Sequence, residues 1–167
     1  ALVKRARAQT GPLLLEDESR LIGRCALPLP LQRVIQQAPI VLVEAPLAVR
    51  VRHTHENYIL ANLRDFERAA AESPTGRAIA FDDFATSLRD ALGRLRRRLG
   101  GDRYGALQAQ LNDALILHER GDPSGHCTWI ETLLRDYYDP MYEYQLTRKS
   151  NPVLFKGDYA TVAAYLA

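Results

Sequence analysis

The sequence predicts an α/β fold, a thin parallel sheet of about three strands interrupted by a large helical insertion. Two observations carry this. Three short runs, residues 13–15 (LLL), 40–43 (IVLV) and 153–155 (VLF), are apolar without a break. That is the pattern of a strand covered on both faces, not of a half-exposed one that alternates. Between the second and third runs, apolar residues return at helical spacing through roughly a hundred positions.

Each element has a local reason. Residues 1–9 read as the tail of a helix, broken at Gly11-Pro12. After the first apolar run, Pro28 and Pro30 introduce a helix over residues 31–37, and Pro39 separates it from the second run. These three segments read as a right-handed βαβ unit. Val49, Ile59, Leu60, Leu63 and Phe66 form the next helical stripe, and Ser73-Pro74-Thr75-Gly76 is a loop. Phe84, Leu88, Leu92, Leu95 and Leu99 make the clearest stripe, which Gly100-Gly101 stops. Tyr104, Leu107, Leu111 and Leu115 make another, ending near Gly121. Trp129, Leu133 and Leu134 start a helix expected to bend at Pro140. Asp158 is placed to cap a last helix, residues 159–166, behind the third strand. The organisation is then residues 1–45 (βαβ), 46–150 (helical region) and 151–167 (final strand and helix). Three strands make a narrow sheet, and the chain opens at Ala1 without Met. Both predict that further strands come from upstream sequence or from self-association through the incomplete sheet.

Composition narrows the classes. At 167 residues and 47% hydrophobic, the chain is long enough to bury a core. A net charge of +2 gives no bulk attraction to nucleic acid or membrane, so any basic surface must be local. Cys25 and Cys127 match neither a disulfide framework nor a metal spacing. No apolar run is long enough for a membrane helix and no leader is evident, so a cytoplasmic location is expected.

The chemistry-bearing residues cluster at strand ends. Glu16-Asp17-Glu18 follows the first apolar run, where ligands sit in open parallel sheets. An apolar strand ending in Asp or Glu is the Walker B arrangement, in which a carboxylate orients magnesium-bound water. It is also a common way to end a strand, and the matching G-x-x-x-x-G-K-[ST] loop is absent, since no glycine is followed by lysine. Ser19, Arg20 and Arg24 follow directly, with Arg50 after the second strand, as ion-pair partners or anion contacts. Arg94, Arg96, Arg97, Arg98 and Arg103 sit where cations complement a helix end or meet RNA phosphates. Tyr137, Tyr138, Tyr142 and Tyr144 suit either interhelical packing or base stacking, with Arg148 and Lys149 nearby. His53, His55, His118 and His126 have no metal-binding spacing.

Together the stretches LLLEDESRLIGRCALP, PIVLVEAPLAVRV with the later ENY, YYDPMYEYQL and VLFKGDY resemble the C-terminal part of tRNA 2-selenouridine synthases. The resemblance runs nearly end to end and in order. It implies a partial P-loop-type domain that begins after Walker A, with Walker A and a rhodanese-like domain upstream in the same protein. Neither Cys25 nor Cys127 stands in for the rhodanese cysteine. The implied reaction converts wobble 2-thiouridine of tRNA to 2-selenouridine. Selenophosphate and geranyl diphosphate are substrates, and a geranylated thiouridine is the intermediate. No resident cofactor is expected beyond a magnesium ion at Asp17.

On that resemblance Asp17, Glu18 and Arg20 are the candidate catalytic residues, and Ser19, Arg24 and Arg50 the candidate phosphate or donor contacts. Arg97, Arg98, Tyr138, Tyr142, Arg148 and Lys149 are the candidate contacts to the tRNA anticodon arm. The chain alone is expected to be inactive. Two other readings stay open: a small-molecule kinase relative without its phosphate loop, and a non-catalytic helical interaction module.

Overall fold

The computed structural model describes residues 13–17, 21–22, 25–71 and 76–167. Two compact units result: one of residues up to Val43 joined by Ser150–Ala167, the other Glu44–Lys149. The architecture is α/β with a large helical insertion.

In the first unit, β1 (Leu21–Ile22) and β2 (Cys25–Ala26) form a small antiparallel pair. Helix α1 (Leu29–Gln37) leads to β3 (Ile40–Val43), which pairs in parallel with β4 (Val153–Gly157). Pro28 and Pro30 fit the start of α1 because the first helical N–H groups have no partner to lose. Pro39 forces Ala38 into extended backbone (φ −69°, ψ 144°) and ends the helix. Asn151 ties the two ends of the unit together. Its amide donates to the carbonyls of Gln36 at 2.8 Å and Ala38 at 2.7 Å, satisfying groups that a helix end leaves open. After β4, the Asp158 carboxylate accepts from the Thr161 N–H at 2.8 Å and starts α8 (Tyr159–Leu166), as expected of a cap. Tyr165 of that helix stacks on Phe155 at 4.4 Å.

The expected strand at residues 13–15 is not there. Leu13, Leu14 and Leu15 form no ladder and are exposed, Leu14 by 65%. A strand exists only through pairing, and an apolar run without a partner stays irregular. Hence the βαβ unit expected over residues 13–43 does not form, and β3 finds its parallel neighbour in β4 instead. The expected helix over residues 1–9 lies outside the described residues.

The second unit is helical. Helix α2 (Leu47–Thr54) passes through a wide turn at His55–Leu60 into α3 (Ala61–Ala70). Helices α4 (Gly76–Leu99) and α5 (Gly101–Glu119) follow. A short turn at Pro123–Gly125 then leads to α6 (His126–Leu133), a second wide turn at Leu134–Tyr138 and α7 (Asp139–Thr147). Of the expected loop 73–76, residues 73–75 lie outside the described residues, and Gly76 already opens α4.

The stripes of α4 and α5 meet in the core, with Phe84, Leu88, Leu92, Leu99, Leu107, Leu111 and Leu115 all buried. Gly100 adopts φ 78°, which lets the chain reverse without a Cβ clash, while Gly101 belongs to α5. Ahead of Pro140, where a bend is expected, the helical run widens over Leu134–Tyr138 and a regular helix resumes at Asp139. Proline has no N–H to continue an α-helical ladder. The carbonyl four residues earlier, Asp136, accepts instead from Arg103 at 3.4 Å. Wide helical turns of this kind recur at functional sites.

Candidate functional site

Asp17 closes the exposed segment 13–17 of the first unit. Glu18, Ser19, Arg20 and Arg24 lie outside the described residues. Arg50 belongs to the other unit, on α2. It already has partners. Its two terminal nitrogens donate to the Asp139 carboxylate at 2.5 and 2.8 Å, and its Nε donates to the Ala45 carbonyl at 3.1 Å. This fork clamps α2 to the start of α7. The hydrogen bonds hold the Asp139 carboxyl below the usual carboxylate range and raise the Arg50 guanidinium further. No local spacing announces the pair, since 89 residues separate its members. Half-buried and bidentate, it is expected to show a coupling energy of about 1–2 kcal/mol. Denaturant unfolding of Arg50→Gln, Asp139→Asn and the double variant measures it, and strict additivity would refute the clamp.

The tyrosine block lies beside it. Tyr138 stacks on Tyr142 at 6.1 Å with ring planes 22° apart, and Tyr137 meets Tyr138 edge-on at 5.0 Å. Tyr137 packs against the core, Tyr138 is half-buried, and Tyr142 is 58% exposed. The block therefore divides between packing and surface: one ring supports the next, and the outermost presents a face. Burial raises the Tyr138 hydroxyl pKa, with smaller upward effects from Tyr137, Tyr142 and Tyr58 and a downward one from Arg98. Tyr58 and Arg98 thus act on the same hydroxyl. Tyr58, from the wide turn after α2, lies in the ENY stretch that carries the resemblance, but the sequence alone assigns it no role in the site.

Arg97 and Arg98 are exposed at the end of α4. Arg148 donates to the Tyr144 hydroxyl at 2.6 Å and lies 5.6 Å from its ring centroid. Lys149 is half-buried. Tyr142 thus presents an exposed ring on the stacked Tyr138, and Arg148 covers a different ring, that of Tyr144. No three His, Cys, Asp or Glu side chains converge to hold a metal ion among the described residues.

Sequence reading also missed a buried network. His126 is fully buried. The Trp129 indole donates to His126 Nδ1 at 2.9 Å, and His126 Nε2 faces His118 Nδ1 at 3.1 Å. Indole is only a donor, so a neutral His126 must carry its proton on Nε2 and give it to His118. His55 Nε2 donates separately to the Pro123 carbonyl at 2.9 Å. The network ties α5, α6 and the first wide turn together without any metal-type spacing.

Among the described residues no helix is long and apolar enough to cross a membrane. A family model described as the tRNA 2-selenouridine synthase AAA domain matches residues 1–167. A tRNA 2-selenouridine synthase from Hahella chejuensis is 49% identical over 156 residues, 93% of this chain and 40% of the relative. Those from Alcanivorax borkumensis and Verminephrobacter eiseniae are 41% and 42% identical, each over 99% of this chain and 45% and 44% of the relative. The chain thus spans less than half the length of these curated relatives. No solved structure matches it. The chain belongs to the tRNA 2-selenouridine synthase family, through the AAA domain of that family.

Proposed function

We propose that this chain is the part of a tRNA-modifying transferase that grips tRNA and helps replace sulfur by selenium in wobble 2-thiouridine. The observation that carries the reading is the end-to-end match to enzymes named for 2-selenouridine synthesis. The arrangement of Tyr138, Tyr142, Arg97, Arg98, Arg148 and Lys149 supports it as the anticodon-arm interface.

The chemistry proposed for the whole protein has two displacements. The thiouridine sulfur attacks the geranyl carbon and diphosphate leaves. The selenium of selenophosphate then adds at C2, the geranylated sulfur leaves as geranylthiol, a better leaving group than the free sulfur, and water cleaves the Se–P bond to release phosphate. The protein's part is to position the base and the phosphorylated donor and to stabilise the departing negative charge. Asp17, Glu18 and Arg20, with Ser19 and Arg24 beside them, are proposed for the donor side. Arg50 is proposed as a phosphate contact, held in place by its ion pair with Asp139. A magnesium ion at Asp17 would supply charge neutralisation to phosphate oxygens, and no step depends on it. The upstream Walker A and rhodanese portions would complete the enzyme, in the cytoplasm.

Two measurements on the full-length protein test this. Tyr142→Ala, alone or with Tyr138→Ala, is expected to weaken tRNA binding by about 1–3 kcal/mol for each stacked base lost. Asp17→Ala and Glu18→Ala are each expected to lower selenation and geranylation of thiolated tRNA while tRNA binding persists. Unchanged binding in the tyrosine variants removes the interface, and unchanged turnover in both carboxylate variants removes the donor site.

A further inference from the structure

A groove of about 520 Å³ lies between α4 and α5, and neither the tyrosine block nor Arg97 and Arg98 line it. Its floor is apolar, made by the buried Leu92 and Leu111, and Tyr104 forms a wall. Arg89 and Arg94 stand exposed at the rim with Asp90 and Gln108. Two contacts hold this arrangement. Arg89 Nε donates to the Asn112 side-chain oxygen at 3.2 Å, which leaves its terminal nitrogens without a protein partner among the described residues. Arg96 lies over the Tyr104 ring, 5.4 Å from its centroid, and steadies the wall.

Gly93 is the unexpected member. Glycine inside a helix is unfavourable by roughly the cost that disfavours it against every residue but proline. Packing does not require it here, because a Cβ at Gly93 would meet nothing within 4 Å. Its effect is to leave the groove open.

The donor set selects a ligand class. Two guanidiniums suit a phosphate. A bare anion would leave Asp90 and Gln108 without a use, and so would an aliphatic chain. A ribose hydroxyl can donate to Asp90, a base edge can pair with the Gln108 amide, and the base can pack against the Tyr104 wall above the leucines. The volume falls within the roughly 300–1,000 Å³ of small-ligand pockets. We infer that the α4–α5 groove is a binding site for a single phosphorylated nucleotide, presented either as an unpaired residue of RNA or as a free mononucleotide. This goes beyond the proposed function and does not rest on the tyrosine interface.

The test uses the full-length protein with two probes, a fluorescein-labelled dodecauridine and free UMP. Gly93→Leu fills the groove and replaces a poor helix former by a good one, so its thermal midpoint is expected to be unchanged or higher. The same variant is expected to weaken binding about tenfold or more. Arg89→Gln with Arg94→Gln is expected to flatten the slope of log affinity against log salt by about 1–2. Loss of dodecauridine affinity alone assigns the groove to an RNA residue. Loss of UMP binding as well assigns it to a nucleotide from either source. Wild-type affinity for both probes in both variants overturns the site. A loss confined to a parallel Tyr138→Ala/Tyr142→Ala protein also overturns it, and leaves the tyrosine interface standing.

Discussion

Phe84→Ala is expected to destabilise the helical unit by about 3–5 kcal/mol, the range for deleting a buried aromatic ring. Phe84 has no solvent exposure. Its ring sits 6.2 Å from Phe66, 6.0 Å from Phe81, 5.9 Å from His118 and 6.4 Å from His126, mostly edge to face. It thus joins α3, α4, α5 and α6 at one point. Truncation removes the transfer energy of the ring and leaves a cavity that four helices cannot all collapse upon. Since whole domains are stable by only about 5–15 kcal/mol, this is a large share. Phe84→Leu keeps most of the volume and is expected to cost less than half as much. Urea unfolding followed by circular dichroism reads both. Equal midpoints for wild type and Phe84→Ala would mean that this ring does not organise the core.

The same residues show what can be read from one dimension. Phe84, Leu88, Leu92 and Leu99 announce α4 because a helix repeats its face every three to four residues, and burial obeys that rhythm. Gly100 announces the break because few other residues tolerate its φ of 78°. Asp158 announces α8 because a cap is a contact over three residues. The parallel partners 40–43 and 153–157 are also visible, each as an apolar run.

Residues 13–15 look identical by that criterion and form no strand, because pairing depends on a partner that composition does not specify. The candidate site is legible to a lesser degree for a related reason. Tyr138 and Tyr142 share a face by helical spacing and do stack. The effect of Tyr58 on the Tyr138 hydroxyl, and the clamp of Arg50 on Asp139, are made by tertiary folding across long separations. Arg50 looks like a free cation in sequence only because its counter-charge is far along the chain.

Acid is expected to loosen the helical unit before ordinary carboxylate protonation begins, through His126. Burial, and then the neighbouring His118 and His55, push its pKa down from 6.5 to about 4. The network gives the chemical reason. A second proton must go on Nδ1, the atom that accepts from Trp129, and would set two N–H groups against each other. His118 is lowered in the same direction, chiefly by burial and then by His55, with Glu67 and Asp122 opposing. The sign follows from linkage. The unfolded chain takes up a proton near pH 6.5, whereas folded His126 does so only near pH 4. Stability is therefore complete above pH 6.5 and falls as pH drops through that window. Below about pH 4 His126 contributes no further loss. At roughly 1.4 kcal/mol per pH unit, the loss by pH 5 is about 2 kcal/mol. His126→Asn keeps an acceptor for the Trp129 indole but cannot titrate. It is expected to be less stable at neutral pH from imperfect packing, yet to lose markedly less between pH 6.5 and 5. Urea midpoints across that range decide the matter: parallel decline in wild type and His126→Asn would move the acid sensitivity to other groups.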